Sequence, residues 1–157
     1  MSRVIVLLLA LAVVNPAIAS GTIAYGSRAG MEVTVLSMEG LDTAHAVIRT
    51  KHTRENAITF CRDYVQKVTE ECIRETLNIR LNDAVVGNCV TGEFSDFRGS
   101  RYKFLGPNRK SGGLVIAQYA IMNLATHEVA DGSSASGYPT NIEIYAALCP
   151  SQAPIPH

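Results

Sequence analysis

Four cysteines stand at positions 61, 72, 89 and 149, and what they can do depends on the first twenty residues of the chain. Met1-Ser2-Arg3 supplies a cation, Val4 to Val14 is an unbroken apolar run, and Ala17-Ile18-Ala19 precedes Ser20. Together these are the three parts of a secretory signal peptide. The apolar run is shorter than the roughly 20 residues a membrane-crossing helix needs. Asn15-Pro16 ends its helical part and leaves the next residues extended for a peptidase. Residues 1–19 are therefore read as a signal peptide cleaved after Ala19, residues 20–150 as one domain, and 151–157 as a disordered tail. The expected location is the periplasm or the exterior, with no transmembrane segment left after cleavage.

Export sets the redox compartment, and an even number of cysteines in an oxidising compartment reads as disulfides. Four cysteines allow three connectivities. If residues 54–77 were one straight helix, Cys61 and Cys72 would lie about 16 Å apart along its axis. That exceeds the roughly 7 Å between Cα atoms that a disulfide tolerates. If the helix breaks near Thr69, the two halves can fold together and a 61–72 bridge becomes natural. Cys89 would then pair with Cys149, tying the C-terminus to a strand. The expected pairing is 61–72 and 89–149. A zinc or dithiol site is not expected, because the spacings match no ligand pattern and there is no C-x-x-C.

Composition narrows the function classes. The chain has 157 residues with 14 basic and 14 acidic side chains and 47% hydrophobic residues. A disordered chain would be far less apolar. A nucleic-acid binder would carry a basic excess, and losing Arg3 leaves one more acid than base. With no Trp and 6% aromatics, an aromatic-lined carbohydrate groove is not expected.

Local patterns then place the elements. Residues 20–30 are small and Gly-rich and read as a lead-in. Met31, Val33 and Val35 alternate with Glu32 and Thr34, and a second alternating run passes through Ala44, Ala46 and Ile48. Period two indicates a β-hairpin around Gly40. Thr53 is an N-cap, and Ile58, Cys61, Val65, Val68 and Cys72 follow at helical spacing. Thr69-Glu70-Glu71 is a fresh cap with acids in its first turn, which favours two short helices over one long one. Beyond Asn82 the runs 84–91, 94–97, 102–105, 114–124 and 128–130 read as strands. Residues 106–113 and 131–139 read as loops. Thr140 caps a last short helix over 141–148, with Ile142, Tyr145, Ala146 and Leu148 on one stripe. The expected fold class is α+β: a small single domain with an antiparallel sheet built from hairpins and two to three short helices, braced by disulfides.

No catalytic motif assembles. A serine elbow needs Gly two residues either side of the Ser, and Ser134 and Ser136 both fail that test. His45, His52, His127 and His157 fall at no metal-ligand spacing. Glu70, Glu71 and Glu75 are explained by the helix dipole. Glu93 and Asp96 are a slightly better acid pair, although turn chemistry explains Asp96. The densest feature is 94–110, where Phe94, Phe97, Tyr102 and Phe104 interleave with Arg98, Arg101, Lys103, Arg109 and Lys110. Such a segment can bind acidic groups, or simply face its aromatics to the core and its charges to water. The candidate binding residues are Phe97, Arg98, Arg101, Tyr102, Lys103, Arg109 and Lys110, with Ser133, Ser134 and Ser136 as a second, hydroxyl-rich cradle.

The run Cys89-x-Thr91-Gly92-x-Phe94-x-Asp96-Phe97-x-Gly99-x-x-Tyr102-x-Phe104-x-Gly106, with Asp131-Gly-Ser-Ser-Ala-Ser-Gly-Tyr138 later, is similar to small exported bacterial proteins of no assigned activity. That resemblance implies no family and no site residue. The expected function is a non-catalytic binding or accessory module of a bacterial cell envelope. The alternative is an envelope hydrolase using a Ser of 133–136 with His127. The expected partner is an envelope protein or an acidic ligand, with no nucleic acid, no metal and no cofactor.

Overall fold

Inward and outward side chains alternate along most strands, and among the described residues that alternation organises one eight-stranded sheet. The computed structural model describes residues 21–108, 118–132 and 137–154. The strands are β1 (Thr22–Ala24), β2 (Glu32–Glu39), β3 (Ala46–Lys51), β4 (Ala84–Asn88), β5 (Glu93–Ser95), β6 (Arg101–Pro107), β7 (Tyr119–Asn123) and β8 (Val129–Ala130). They lie in the sheet in chain order, and every neighbouring pair is antiparallel. Val33 and Val35 on β2 face inward with Ala46, Ile48 and Thr50 on β3, as the period of two requires. The pairing slips between Val35 and Ser37 and again between Phe104 and Gly106. Such irregularities bend a sheet and increase its twist.

Between β3 and β4 the chain forms α1 (Arg54–Phe60), a single π-helical turn over Cys61–Val65, and α2 (Glu70–Leu77). Thr53 caps α1 in a reciprocal box with Asn56. Gln66 adopts a left-handed conformation that ends the π turn, and Thr69 caps α2 by accepting from the Cys72 amide. The break expected near Thr69 is present, and it lets the helices pack together. Cys61 and Cys72 are bonded with their Cα atoms 6.1 Å apart. Ala57, Cys61 and Ile73 form a small core of their own under that bridge.

The last helix, α3 (Tyr138–Leu148), is the centre of the main core. Ile142, Ile144, Tyr145 and Leu148 are buried on several sides of it, as a helix that is apolar all round demands. It touches β1, β3, β4 and β7, so the sheet wraps around it. Cys149 ends the helix and bonds Cys89 just after β4, Cα to Cα 5.6 Å. The class is therefore α+β, braced by both expected disulfides.

Three expectations need correction. The lead-in contains β1, whose Ile23 and the following Tyr25 are buried in the core. Helix α3 begins at Tyr138, with Gly137 ahead of it and Pro139 in its first turn, so Thr140 is a buried helical residue and not the cap. Proline is tolerated there because first-turn amides have no helical acceptor. Finally, residues 151–154 are held in place. The Ser151 amide and hydroxyl both donate to Asp42, and Ala153 is fully buried. Residues 1–19 and 155–157 lie outside the described residues. Among those described, no helix is long and apolar enough to cross a membrane.

Candidate functional site

The hairpin made by β5 and β6 divides its side chains as alternation dictates. Phe94 points into the core, where its ring packs on Tyr102 and on Tyr145 of α3. Phe104 stacks on Tyr145 and tilts against Tyr119. Phe97 is 1% exposed, so its side chain is part of the core and offers nothing to a ligand. Asp96 holds the turn by accepting from the Arg98 and Ser100 amides, and Arg101 pairs with Glu93 across the hairpin at 2.7 Å. Both carboxylates of the acid pair considered above are thus used in holding the hairpin. Lys103 is half-buried opposite Met122, while Arg98 and Arg101 are exposed. Arg109, Lys110, Ser133, Ser134 and Ser136 lie outside the described residues. His127 sits exposed in the β7–β8 turn with a left-handed backbone.

A different place has the features of a site. Among the described residues, the buried side-chain polar atoms with no hydrogen-bond partner are the Tyr25 hydroxyl and both ring nitrogens of His52. These belong to two rings in edge contact, centroids 5.3 Å apart. Buried polar groups in folded proteins are nearly always paired, and each orphan costs about 1–3 kcal/mol.

The backbone explains how the two rings meet. Tyr25 follows β1, and its amide donates to Met31 to close the 26–30 loop. His52 follows β3 directly and precedes the Thr53 cap, so the start of α1 fixes it at the end of the sheet. The segment after α2 passes alongside. The Thr50 amide donates to Asp83, and the Asn82 amide donates to Phe97. These bonds form the wall of a cavity of about 680 Å³ whose lining includes Thr50, Lys51, His52, Arg80, Asn82 and Asp83.

The electrostatics favour neutral rings within a positive rim. Burial pushes the His52 pKa below its usual value, so the imidazole offers one donor and one acceptor. Burial pushes the Tyr25 hydroxyl up, and the positive charge of Arg98 partly opposes that shift. Arg98, flagged by the sequence, therefore lies within electrostatic reach of a residue the sequence did not flag. Lys51, Arg80 and Arg98 form no ion pair among the described residues. Asp83 is the one acid in the cavity wall among the described residues. Among the described residues, no side chain is hydrogen-bonded to the His52 ring, and no group of three metal-ligating side chains occurs. The arrangement can bind a polar group.

Sequence reasoning passed over this pair for a physical reason. Tyr25 lay in a segment with too few residues to show a period, and His52 stood alone before a cap. Comparison with family models, with curated proteins and with solved structures gives no match.

Proposed function

We propose that this chain is a small exported binding module of a bacterial cell envelope, non-catalytic, which takes an acidic small molecule beside Tyr25 and His52. The carrying observation is the pair of buried rings with unpartnered polar atoms, Tyr25 and His52, of which His52 also lines a cavity with Lys51 and Arg80 in its wall. A carboxylate-bearing ligand would accept from the imidazole and the phenol and be drawn by Lys51, Arg80 and Arg98. Export is supported by the signal-like pattern of residues 1–19 and by two intramolecular disulfides, which persist in oxidising compartments.

The test uses the oxidised chain and a panel of succinate, malate, citrate and glucuronate. Thermal stability and the His52 ring proton signals are followed during titration. Binding raises Tm and shifts the His52 signals in the parent, and the Tm rise is lost in the Tyr25→Phe/His52→Phe variant, which keeps an aromatic ring at each position and removes the polar atoms. If no panel member moves either readout in the parent chain, the ligand class is wrong. An equal rise of Tm in parent and double variant places the ligand elsewhere.

A further inference from the structure

Strand β1 has two edges, and among the described residues only one is used. The Tyr25 amide donates to Met31 and the Val35 amide donates to Gly21, so residues 21, 23 and 25 bond to β2. In an antiparallel ladder the intervening residues turn their backbone groups away. The N–H and C=O groups of Thr22 and Ala24 therefore point off the sheet, and they meet no partner among the described residues. An uncovered edge of this kind is a template for another strand.

This edge borders a groove of about 680 Å³ formed with the outer side of α3 and the turn after it. Ile23, Ala146, Ala147 and Ala153 make its lining mostly apolar. Two carboxylates also line it: Glu32, opposite Ala24 on β2, and Glu143, on α3. Glu32 accepts from the Thr22 hydroxyl at 2.6 Å. Neither acid has a cation within ion-pair distance among the described residues. Burial and the charge of Glu32 both push the Glu143 carboxyl up from its usual value. Two like charges brought together at a partly dry surface are destabilised until a cation joins them.

We propose that the β1 edge is a docking surface for an extended segment of a partner protein that adds as a further strand and places a lysine or arginine between Glu32 and Glu143. The outward groups of Thr22 and Ala24 supply main-chain bonds, and the apolar lining takes the small or aliphatic neighbours of the basic residue. The carboxylates select the sign of charge. This surface is independent of the cavity lined by His52, because the two share no lining residue.

The experiment titrates the oxidised chain with two capped pentapeptides, Thr-Val-Lys-Val-Thr and its counterpart with glutamate at the centre. Backbone amide shifts are read by NMR. The lysine peptide is expected to shift the Thr22 and Ala24 amides and protect them from solvent exchange, while the glutamate peptide does not. Glu32→Gln/Glu143→Gln should weaken the lysine peptide about tenfold, with a matching loss of salt dependence. Ala24→Pro removes an outward amide that no strand among the described residues uses, so it should abolish binding while both disulfides and Tm are kept. Should that variant not fold, the exposed change Glu143→Lys must weaken the lysine peptide at least as much as the double glutamine variant. Equal binding of the two peptides, or no shift at Thr22 and Ala24 at millimolar peptide, overturns the proposal.

Discussion

The ring of Tyr145 lies against that of Phe104, centroids 4.3 Å apart and planes 18° apart, and this contact joins α3 to β6. Tyr145 is fully buried, also meets Phe94, and donates its hydroxyl to Gln152 at 2.6 Å. Truncation to Tyr145→Ala should cost about 3–5 kcal/mol in urea unfolding, because the sheet cannot collapse into the space left. Tyr145→Phe keeps the stacking and strips one hydrogen bond, so about 1–2 kcal/mol is expected. Burial pushes the Tyr145 hydroxyl up to about 12. Its ordinary value in an unfolded chain is about 10, so unfolding releases its proton first as pH rises. Stability should be level below pH 10 and fall between 10 and 12. Tyr145→Phe should soften that fall without removing it, since Tyr25 and Tyr138 are raised too.

His52 sets the acid side. Its folded pKa lies below the ordinary value of about 6.5, so protons bind the unfolded chain first as pH drops. The stabilisation is complete above that value and is lost as pH falls toward the folded one. His52→Phe should remove this part of the acid sensitivity. It should also leave stability at neutral pH equal or higher by about 1 kcal/mol, since two orphaned nitrogens disappear. Urea unfolding of both proteins at pH 5 and pH 7.5 checks this. A neutral-pH loss as large as that of a core truncation would show that His52 has a structural partner.

Where side chains repeat, the sequence was readable. The β2–β3 hairpin follows from Val33, Val35, Ala46 and Ile48, and the helix break from the Thr69 cap. Once the break is placed, the 61–72 bridge follows from chain geometry. Strand β1 is different: only Ile23 and Tyr25 face inward, and two positions make no period. The start of α3 was hidden because Pro139 reads as a loop residue, although a first turn accepts it. The cavity was least legible of all. Tyr25 and His52 meet only because β1, β2 and β3 pair in register, and no local pattern carries that information.

Gly30 tests how tightly the helical excursion is seated on the sheet. Its φ is +75°, and a Cβ there would lie 2.7 Å from the Phe60 Cα and 2.8 Å from its nitrogen. Gly106 has a φ of +87°, with open space around the same position. Gly106→Ala should therefore cost only the backbone penalty, about 1–2 kcal/mol. Gly30→Ala carries that penalty and must also push α1 away from the loop before β2. Thermal melts of the two variants should separate clearly, Gly30→Ala being the less stable. Equal melting temperatures would mean that α1 is not packed where the structure places it.

The two disulfides should differ in weight because they close different lengths of chain. Cys61 and Cys72 are 11 residues apart, and Cys89 and Cys149 are 60 apart. In the chain-entropy account these loops correspond to about 3 and about 4 kcal/mol. Position widens the gap. Cys149 ends α3 beside the Leu148 carbonyl, which accepts from the Asp42 amide, and Gln152 donates to the Cys89 carbonyl. Releasing that bridge loosens the helix that fills the main core. Releasing 61–72 loosens only the small core of Ala57 and Ile73. Cys61→Ala/Cys72→Ala should thus lower the urea midpoint while the near-ultraviolet signal of the buried tyrosines persists. Cys89→Ala/Cys149→Ala should lower it further and lose that signal at lower temperature. Non-reducing peptide mapping of the parent supplies the control, and a Cys61–Cys149 cross-link there would invalidate both comparisons.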